Sequence, residues 1–313
     1  MFKKFSSTTL LIVLAVLIGL VLLNKYYFSK KSEITFNDAF VQIDTSLVTE
    51  VLVYPKAEKG KEIKLTKDEN GWQLQFEKIN TRADSSAVRN LVGSFKDIKS
   101  NSLAGVDKSS WAELQIDDTS GSRIKIMTSD NKTYDMVVGK FGYNAAARNG
   151  VTYIRHTGEE AVYAIDGFLA FSVNQPLSGW RNKTFISGNK DNWNSLTFTY
   201  PGDSSFVLAK QNNSWLVNGQ PADSAKTVQY LDGISSLQNS GFVDSYTPVS
   251  TPVFTLRIQG NNQAVPVTVV AYPADSVQKF ILHSSQNNDV YFSEGQSHVS
   301  DRVFVGSGHF LTQ

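Results

Sequence analysis

The feature that most constrains this chain is that it repeats itself. Tyr54-Pro55 is matched by Tyr200-Pro201, Leu65-Thr66-Lys67 by Leu208-Ala209-Lys210, Gly71-Trp72-Gln73-Leu74 by Ser214-Trp215-Leu216, and Ala83-Asp84-Ser85 by Ala222-Asp223-Ser224. Further on, Tyr153-Ile154-Arg155-His156 lines up with Phe280-Ile281-Leu282-His283, and Ala161-Val162-Tyr163 with Asp289-Val290-Tyr291. The pairs keep their order while the offset falls from 146 at Tyr54 to 127 at His156, as loops of unequal length require. An ordered series of this kind points to one supersecondary unit used twice.

Each copy reads into the same elements. Val48 to Tyr54, Ile63 to Thr66 and the Trp72 strand form a meander, repeated as Ser195 to Tyr200, Phe206 to Ala209 and Ser214 to Val217. Asp84 and Asp223 each precede apolar residues at helical spacing, Val88, Leu91, Val92, Phe95, Ile98 and Val228, Leu231, Ile234, Leu237. Each aspartate therefore reads as an N-cap that accepts the first free amide protons of a helix. Later strands are expected at Arg123 to Met127, Thr133 to Val138, Val151 to Arg155 and Ala161 to Ala164, and at Phe254 to Ile258, Val265 to Ala271, Lys279 to His283 and Asp289 to Phe292. Trp72 and Trp215, at equivalent places, read as core fillers rather than ligand platforms.

Ahead of the repeat lies an unbroken apolar run: Leu10, Leu11, Ile12, Val13, Leu14, Ala15, Val16, Leu17, Ile18, Gly19, Leu20, Val21, Leu22 and Leu23. With Phe5 to Thr9 it would cover roughly 28 Å as a helix, close to the ~30 Å hydrocarbon thickness. Asn24-Lys25-Tyr26-Tyr27-Phe28 follows, bulky and charged where a cleavable leader needs small residues, so a retained signal anchor is expected in preference to a cleaved one. The aromatic trio suits a membrane interface. Lysines flank the run on both sides, so charge does not set its orientation, and a short cytoplasmic N-terminus with an exported domain is the commoner arrangement. Ala15 and Gly19, four apart, share one side of such a helix and offer a small-residue contact face. The expected fold class is therefore α+β: an N-terminal transmembrane helix followed by two duplicated modules, each an antiparallel β-sheet with one amphipathic helix. The expected domains are 1–32 for the anchor and juxtamembrane segment, 33–187 for the first module and 188–313 for the second. The boundary between the modules is marked by Pro176, Gly179 and Gly188, with Trp180 and Arg181 placed to anchor one module against the other.

Residues 1–32 hold five lysines and no acid, so the rest of the chain keeps 25 basic against 29 acidic residues. That balance argues against nucleic acid as a partner. There is no cysteine, which excludes disulfides, thiolate metal sites and a lipidated thiol. The four histidines, His156, His283, His298 and His309, show no His-Glu-x-x-His spacing, and His156 and His283 fall at equivalent repeat positions, as structural residues would. His298, Asp301, Ser307 and His309 hold the residue types of a hydrolase triad but lack a nucleophile elbow. Gly139-Lys140 with Gly142 lacks phosphate-loop spacing and reads as a hairpin turn. Asp117-Asp118 and Glu159-Glu160 are sequence neighbours, which puts them on opposite strand faces or in solvated turns. No catalytic residue, metal or cofactor is expected.

Thr152-Tyr153-Ile154-Arg155, Ala161-Val162-Tyr163-Ala164-Ile165 and Pro176-Leu177-Ser178-Gly179-Trp180-Arg181-Asn182-Lys183, with the repeated tryptophan strand and alanine-aspartate helix start, resemble the membrane-anchored bacterial family catalogued as domain of unknown function 4340. The resemblance covers about Val48 to Asp244. It implies an accessory role beside an ATP-binding-cassette transport system of the type linked to gliding motility, and it carries over no catalytic residue. Two function classes are thus expected. The first is a non-enzymatic, single-pass inner-membrane interaction protein whose periplasmic modules contact transporter subunits. The second is an envelope hydrolase or carbohydrate-binding protein with a site between the two modules.

Overall fold

The structure, a computed structural model, describes residues 39–145, 148–274, 279–294 and 298–312. In the first half the strands are β1 (Ala39–Gln42), β2 (Val48–Tyr54), β3 (Ile63–Asp68), β4 (Gly71–Phe76), β5 (Ile79–Arg82), β6 (Asp97–Lys99), β7 (Ser102–Gly105), β8 (Ser122–Thr128), β9 (Thr133–Asn144), β10 (Asn149–His156) and β11 (Val162–Asp166). Nine of them form one antiparallel sheet in the order β5-β4-β3-β2-β8-β9-β10-β11-β7, and β1 pairs with β6. The second half supplies β12 (Thr184–Ser187), β13 (Trp193–Thr199), β14 (Phe206–Gln211), β15 (Ser214–Val217), β16 (Gln220–Pro221), β17 (Ser236–Gln238), β18 (Phe242–Val243), β19 (Phe254–Gly260), β20 (Val267–Pro273), β21 (Phe280–Ser284) and β22 (Tyr291–Ser293). Its sheet runs β16-β15-β14-β13-β19-β20-β21-β22-β18, the same connectivity strand for strand, and β12 pairs with β17 as β1 does with β6.

The expected class needs correction. The molecule is mostly β rather than α+β, and among the described residues no helix is long and apolar enough to cross a membrane. The run Leu10 to Leu23, read as a transmembrane helix, lies outside the described residues. One helix per module was also too few: besides Ser85–Ser94 and Ser224–Ile234, short helical turns occupy Trp111–Leu114, Leu169–Val173, Leu177–Trp180 and Val299–Val303. Strands outweigh them because each sheet is extended at both margins by β5 and β7, or by β16 and β18. These are four residues or fewer, too short to show alternation.

Each sheet buries one face under its helix. Val51, Val53, Ile63, Leu65, Leu74, Ile124, Ile126 and Ile154 meet Val88, Leu91, Val92 and Phe95, and Trp72 is buried among them. In the second module Leu196, Phe198, Leu208, Leu256 and Val269 meet Tyr230, Leu231 and Ile234, while Trp215 is half-buried at the margin. Val228, expected inside, faces solvent, and Thr227 takes the buried place, its hydroxyl donating to the Asp223 carbonyl at 2.7 Å. Both N-caps form: Asp84 accepts from the amides of Ser86 and Ala87 at 2.9 and 3.0 Å, and Asp223 from that of Lys226 at 3.0 Å.

Each helix start is also tied to the end of its own module. The Asp84 amide donates to the Trp180 carbonyl at 2.8 Å, and the Asp223 amide to the Phe310 carbonyl at 2.7 Å. Trp180 and Phe310 are both fully buried, so each module is closed by an aromatic residue delivered after its last strand. The residue that follows differs, Arg181 in one case and Leu311 in the other. From Trp180 in the first core the chain reaches Phe185 in the second within five residues. That segment is fastened on both sides. Arg181 bridges Ala83, the Asn182 amide donates to the Arg82 carbonyl at 3.0 Å, and the buried Asn287 amide donates to the Asn182 carbonyl at 2.8 Å.

Candidate functional site

The fastened segment brings the margin of one sheet to the margin of the other. β5 and the turn before it form one wall of a cleft of about 760 Å³, and β18 with the residues after it forms the opposite wall. That volume falls within the ~300–1,000 Å³ of small-molecule sites. Arg181 enters from the linker, with only 3 % of its surface exposed. Its Nη2 donates to Asp244 Oδ1 at 2.7 Å, and the guanidinium lies 4.0 Å from the Phe242 ring centroid.

Arg181 has a counterpart that shows what is unusual about it. Arg155 is equally buried, at 2 %, stacks at 4.0 Å on Trp111, and pairs with Asp118 at 2.9 Å. Its Nε donates to the Ile116 carbonyl at 3.0 Å and its Nη1 to the His156 carbonyl at 3.3 Å, so its hydrogen bonding is distributed over the protein. Arg181 Nε has no partner. Among the described residues six buried side-chain atoms lack one, and three of them, Arg181 Nε, Thr81 Oγ1 and Tyr246 OH, belong to residues lining this one cleft. A buried polar group left unpaired costs about 1–3 kcal/mol, so three such groups on residues of one lining are a local cost to the fold.

Tyrosine rings make up the rest of the second wall. Tyr246 meets Tyr291 edge-on at 5.0 Å and Tyr272 at 5.9 Å, and Tyr291 stands 5.0 Å from His283. Burial, then the neighbouring phenols, push Tyr246 above its ordinary pKa, and burial and Tyr291 do the same for Tyr272. Both stay protonated at neutral pH. Asp244 pairs with Arg181, Glu77 pairs with Lys61 at 2.6 Å, and Asp289 and Lys78 also line the cleft, so its charges balance.

The other residues considered from sequence do structural work. His156 stacks on Phe40 at 4.3 Å with Nε2 3.3 Å from the Phe40 carbonyl, and His283 Nε2 lies 3.0 Å from the Asn288 carbonyl. His298, Asp301, Ser307 and His309 are not linked side chain to side chain; Asp301 sits 3.5 Å from Lys279. Among the described residues no group of three histidines or carboxylates is placed to hold a metal. Asp117 ties down a turn by accepting from Thr119 and Ser120, and Glu160 lies 3.7 Å from Lys108. Gly139, Lys140 and Gly142 are not a turn but lie inside β9; a Cβ on Gly139 would stand 2.4 Å from the Leu114 carbonyl, so the glycine lets the Trp111–Leu114 helix press on the strand.

Sequence reasoning singled out Arg181 at the boundary but not Thr81, Asp244, Tyr246 or Tyr291. They are ordinary polar and aromatic residues of the two sheet margins, and only the pairing order of the strands brings them together.

Fold and cleft define a tandem β-sheet protein with a polar pocket at the joint of its two modules. The family profile described as Domain of unknown function (DUF4340) matches residues 72–254, more than half of the chain, and the chain belongs to that family. The matched region runs from β4 to the start of β19 and includes Thr81, Arg181, Phe242, Asp244 and Tyr246. No curated protein and no solved structure matches the chain.

Proposed function

We propose that this chain is a non-enzymatic binding protein that acts at a bacterial membrane as an accessory component of an ATP-binding-cassette transport system, with its two β modules outside the cytoplasm. The observation that carries the binding part is the joint: a cleft of about 760 Å³ between the two sheet margins, lined by Arg181, Asp244 and the Tyr246 and Tyr291 side chains and by no histidine. Such a lining supplies donors and rings for recognition. A place at the membrane is supported by the apolar residues 10–23, and the transport role by what the sequence resemblance implies.

The test is site-specific photocrosslinking in whole cells from a probe at Asn80, an exposed residue of β5 that lines the cleft. Recovery of the permease or ATPase subunit of an exporter in the crosslinked product is the expected result. Adducts of this chain with itself alone, with transporter subunits demonstrably present, would overturn the reading.

A further inference from the structure

The first module carries on its surface an aromatic cluster that its fold does not require. Phe168 caps, and Phe171 lies within, the short helix Leu169–Val173 that follows β11. Leu169 and Val173, one helical turn apart, are buried in the core, which leaves Phe168 and Phe171 outward, 63 % and 59 % exposed. Phe141, near the end of β9, stacks on Phe168 at 5.2 Å and stands 5.0 Å from Phe171. A Cβ on Gly150 would come within 2.6 Å of the Phe141 ring and 3.2 Å of that of Phe168, so bare backbone floors the cluster. Tyr143, two residues further along β9, is exposed as well. The duplicate module supplies the contrast. Its helix Val299–Val303 stands eleven residues before the closing Phe310, as Leu169–Val173 does before Trp180. Val299 and Val303 are buried like their counterparts, but the outward places hold His298 and Asp301, both exposed, with Asp301 3.5 Å from Lys279. The fold thus demands apolar residues only at the inward pair. Contiguous exposed rings beyond that demand mark a contact surface.

The length of chain ahead of the module says what meets that surface. Ala39, the first described residue, pairs with Lys99, and Lys99 lines the same hollow of about 470 Å³ as Phe168. Fifteen residues lie between Ala39 and Leu23, the last of the apolar run, and such a length reaches at most about 50 Å. The cluster is therefore held close to whatever holds the run, and a second contact there is intramolecular. Charge does not select the surface: Lys99, Asp97 and Asp166 line the hollow and exposed Arg148 stands two residues before Gly150, two bases against two acids. Rings that project, rather than line a groove, suit a fluid interface that closes around them. We propose that the cluster seats the first module on the bilayer, with Phe168 and Phe171 inserted at headgroup level and Tyr143 beside them. The inference rests on the membrane placement proposed above and adds to it the face that the module turns toward lipid.

The chain has no cysteine, so single cysteines can carry an environment-sensitive fluorophore without background. The full chain is reconstituted in phosphatidylcholine nanodiscs containing a lipid with a nitroxide near its headgroup, and labelled in turn at Tyr143→Cys, Asn24→Cys, Val249→Cys and Asn70→Cys. Asn24 follows the apolar run, Val249 is exposed in the second module, and Asn70 is exposed in the turn between β3 and β4. The probe at Tyr143 is expected to lose most of its emission to the nitroxide, as the probe at Asn24 does, while those at Val249 and Asn70 keep theirs. Phe168→His combined with Phe171→Asp places in the first module the residue types that its duplicate carries, and is expected to restore emission at Tyr143 but not at Asn24. Four results would overturn the inference: emission at Tyr143 as well preserved as at Val249 while Asn24 is quenched, quenching that the double variant leaves intact, quenching that appears only with added phosphatidylglycerol and vanishes at high salt, or a Tyr143 probe shielded from both the lipid nitroxide and aqueous iodide, as a covering protein would shield it. Failure of the first kind removes only the seating of the module. An unquenched probe at Asn24 removes the membrane placement itself, and this inference with it.

Discussion

Thr81→Val should make the free protein more stable, the opposite of what a buried polar-to-apolar change does when the polar group is bonded. Thr81 is 4 % exposed and its Oγ1 finds no partner. Its backbone faces Leu74 across the β4–β5 ladder, where a β-branched residue suits the strand. Valine keeps the shape and the rotamer preference, so the change is confined to one hydroxyl becoming one methyl. Removing an unpaired buried hydroxyl relieves about 1–3 kcal/mol of desolvation penalty. Allowing for relaxation of the surroundings, a gain of about 1–2 kcal/mol is expected, or a melting temperature higher by roughly 2–6 °C. The assay is urea unfolding followed by tryptophan fluorescence, with Trp72 and Trp180 reporting on the first core. A midpoint lower than that of the parent protein would mean that the hydroxyl is bonded in the free state and would refute the reasoning.

Other substitutions probe the joint and the sheets. Trp180→Ala empties the largest fully buried side chain of the first core and should cost about 3–5 kcal/mol, with new protease cleavage between residues 181 and 184 appearing before the second module is digested. Gly139→Ala drives a methyl against the Leu114 carbonyl and should cost about 1–3 kcal/mol, seen as a lower urea midpoint; an unchanged midpoint would show that the Trp111–Leu114 helix yields freely. Hydrogen bonds from the Ser120 and then the Thr119 hydroxyl hold the Asp117 carboxyl well below the usual range. Its contribution to stability is therefore complete above the unfolded carboxylate pKa of about 4 and is lost as the pH falls toward the folded value. Ser120→Ala should flatten that acid-side loss in unfolding midpoints measured from pH 6 to pH 2, and an unaltered slope would sink the assignment.

What the sequence shows and what it hides follow from element length. Strands such as β2 and β8 alternate over seven residues, Val51 and Val53 facing Ile124 and Ile126 across one ladder, and are legible as periodicity. β5, β7, β16 and β18 have no such length, and without them neither sheet has the margin that forms the cleft. Gly139 to Gly142 looks like a turn because glycine is read as punctuation, whereas here it marks a close approach of another backbone. Arg181 is visible as a lone cation at a boundary. Its open Nε is not, because Arg155 has the same residue type and the same kind of partners, and the difference lies in which carbonyls the fold supplies.

The joint also has a mechanical consequence. Trp180 and Phe185 are set in different cores with four residues between them, and that short length is fastened to the first module at Arg82 and Ala83 and to the second at Asn287. Such a hinge has no slack. A torque applied to either sheet cannot be taken up by the connecting chain and is delivered to the gap between β5 and β18.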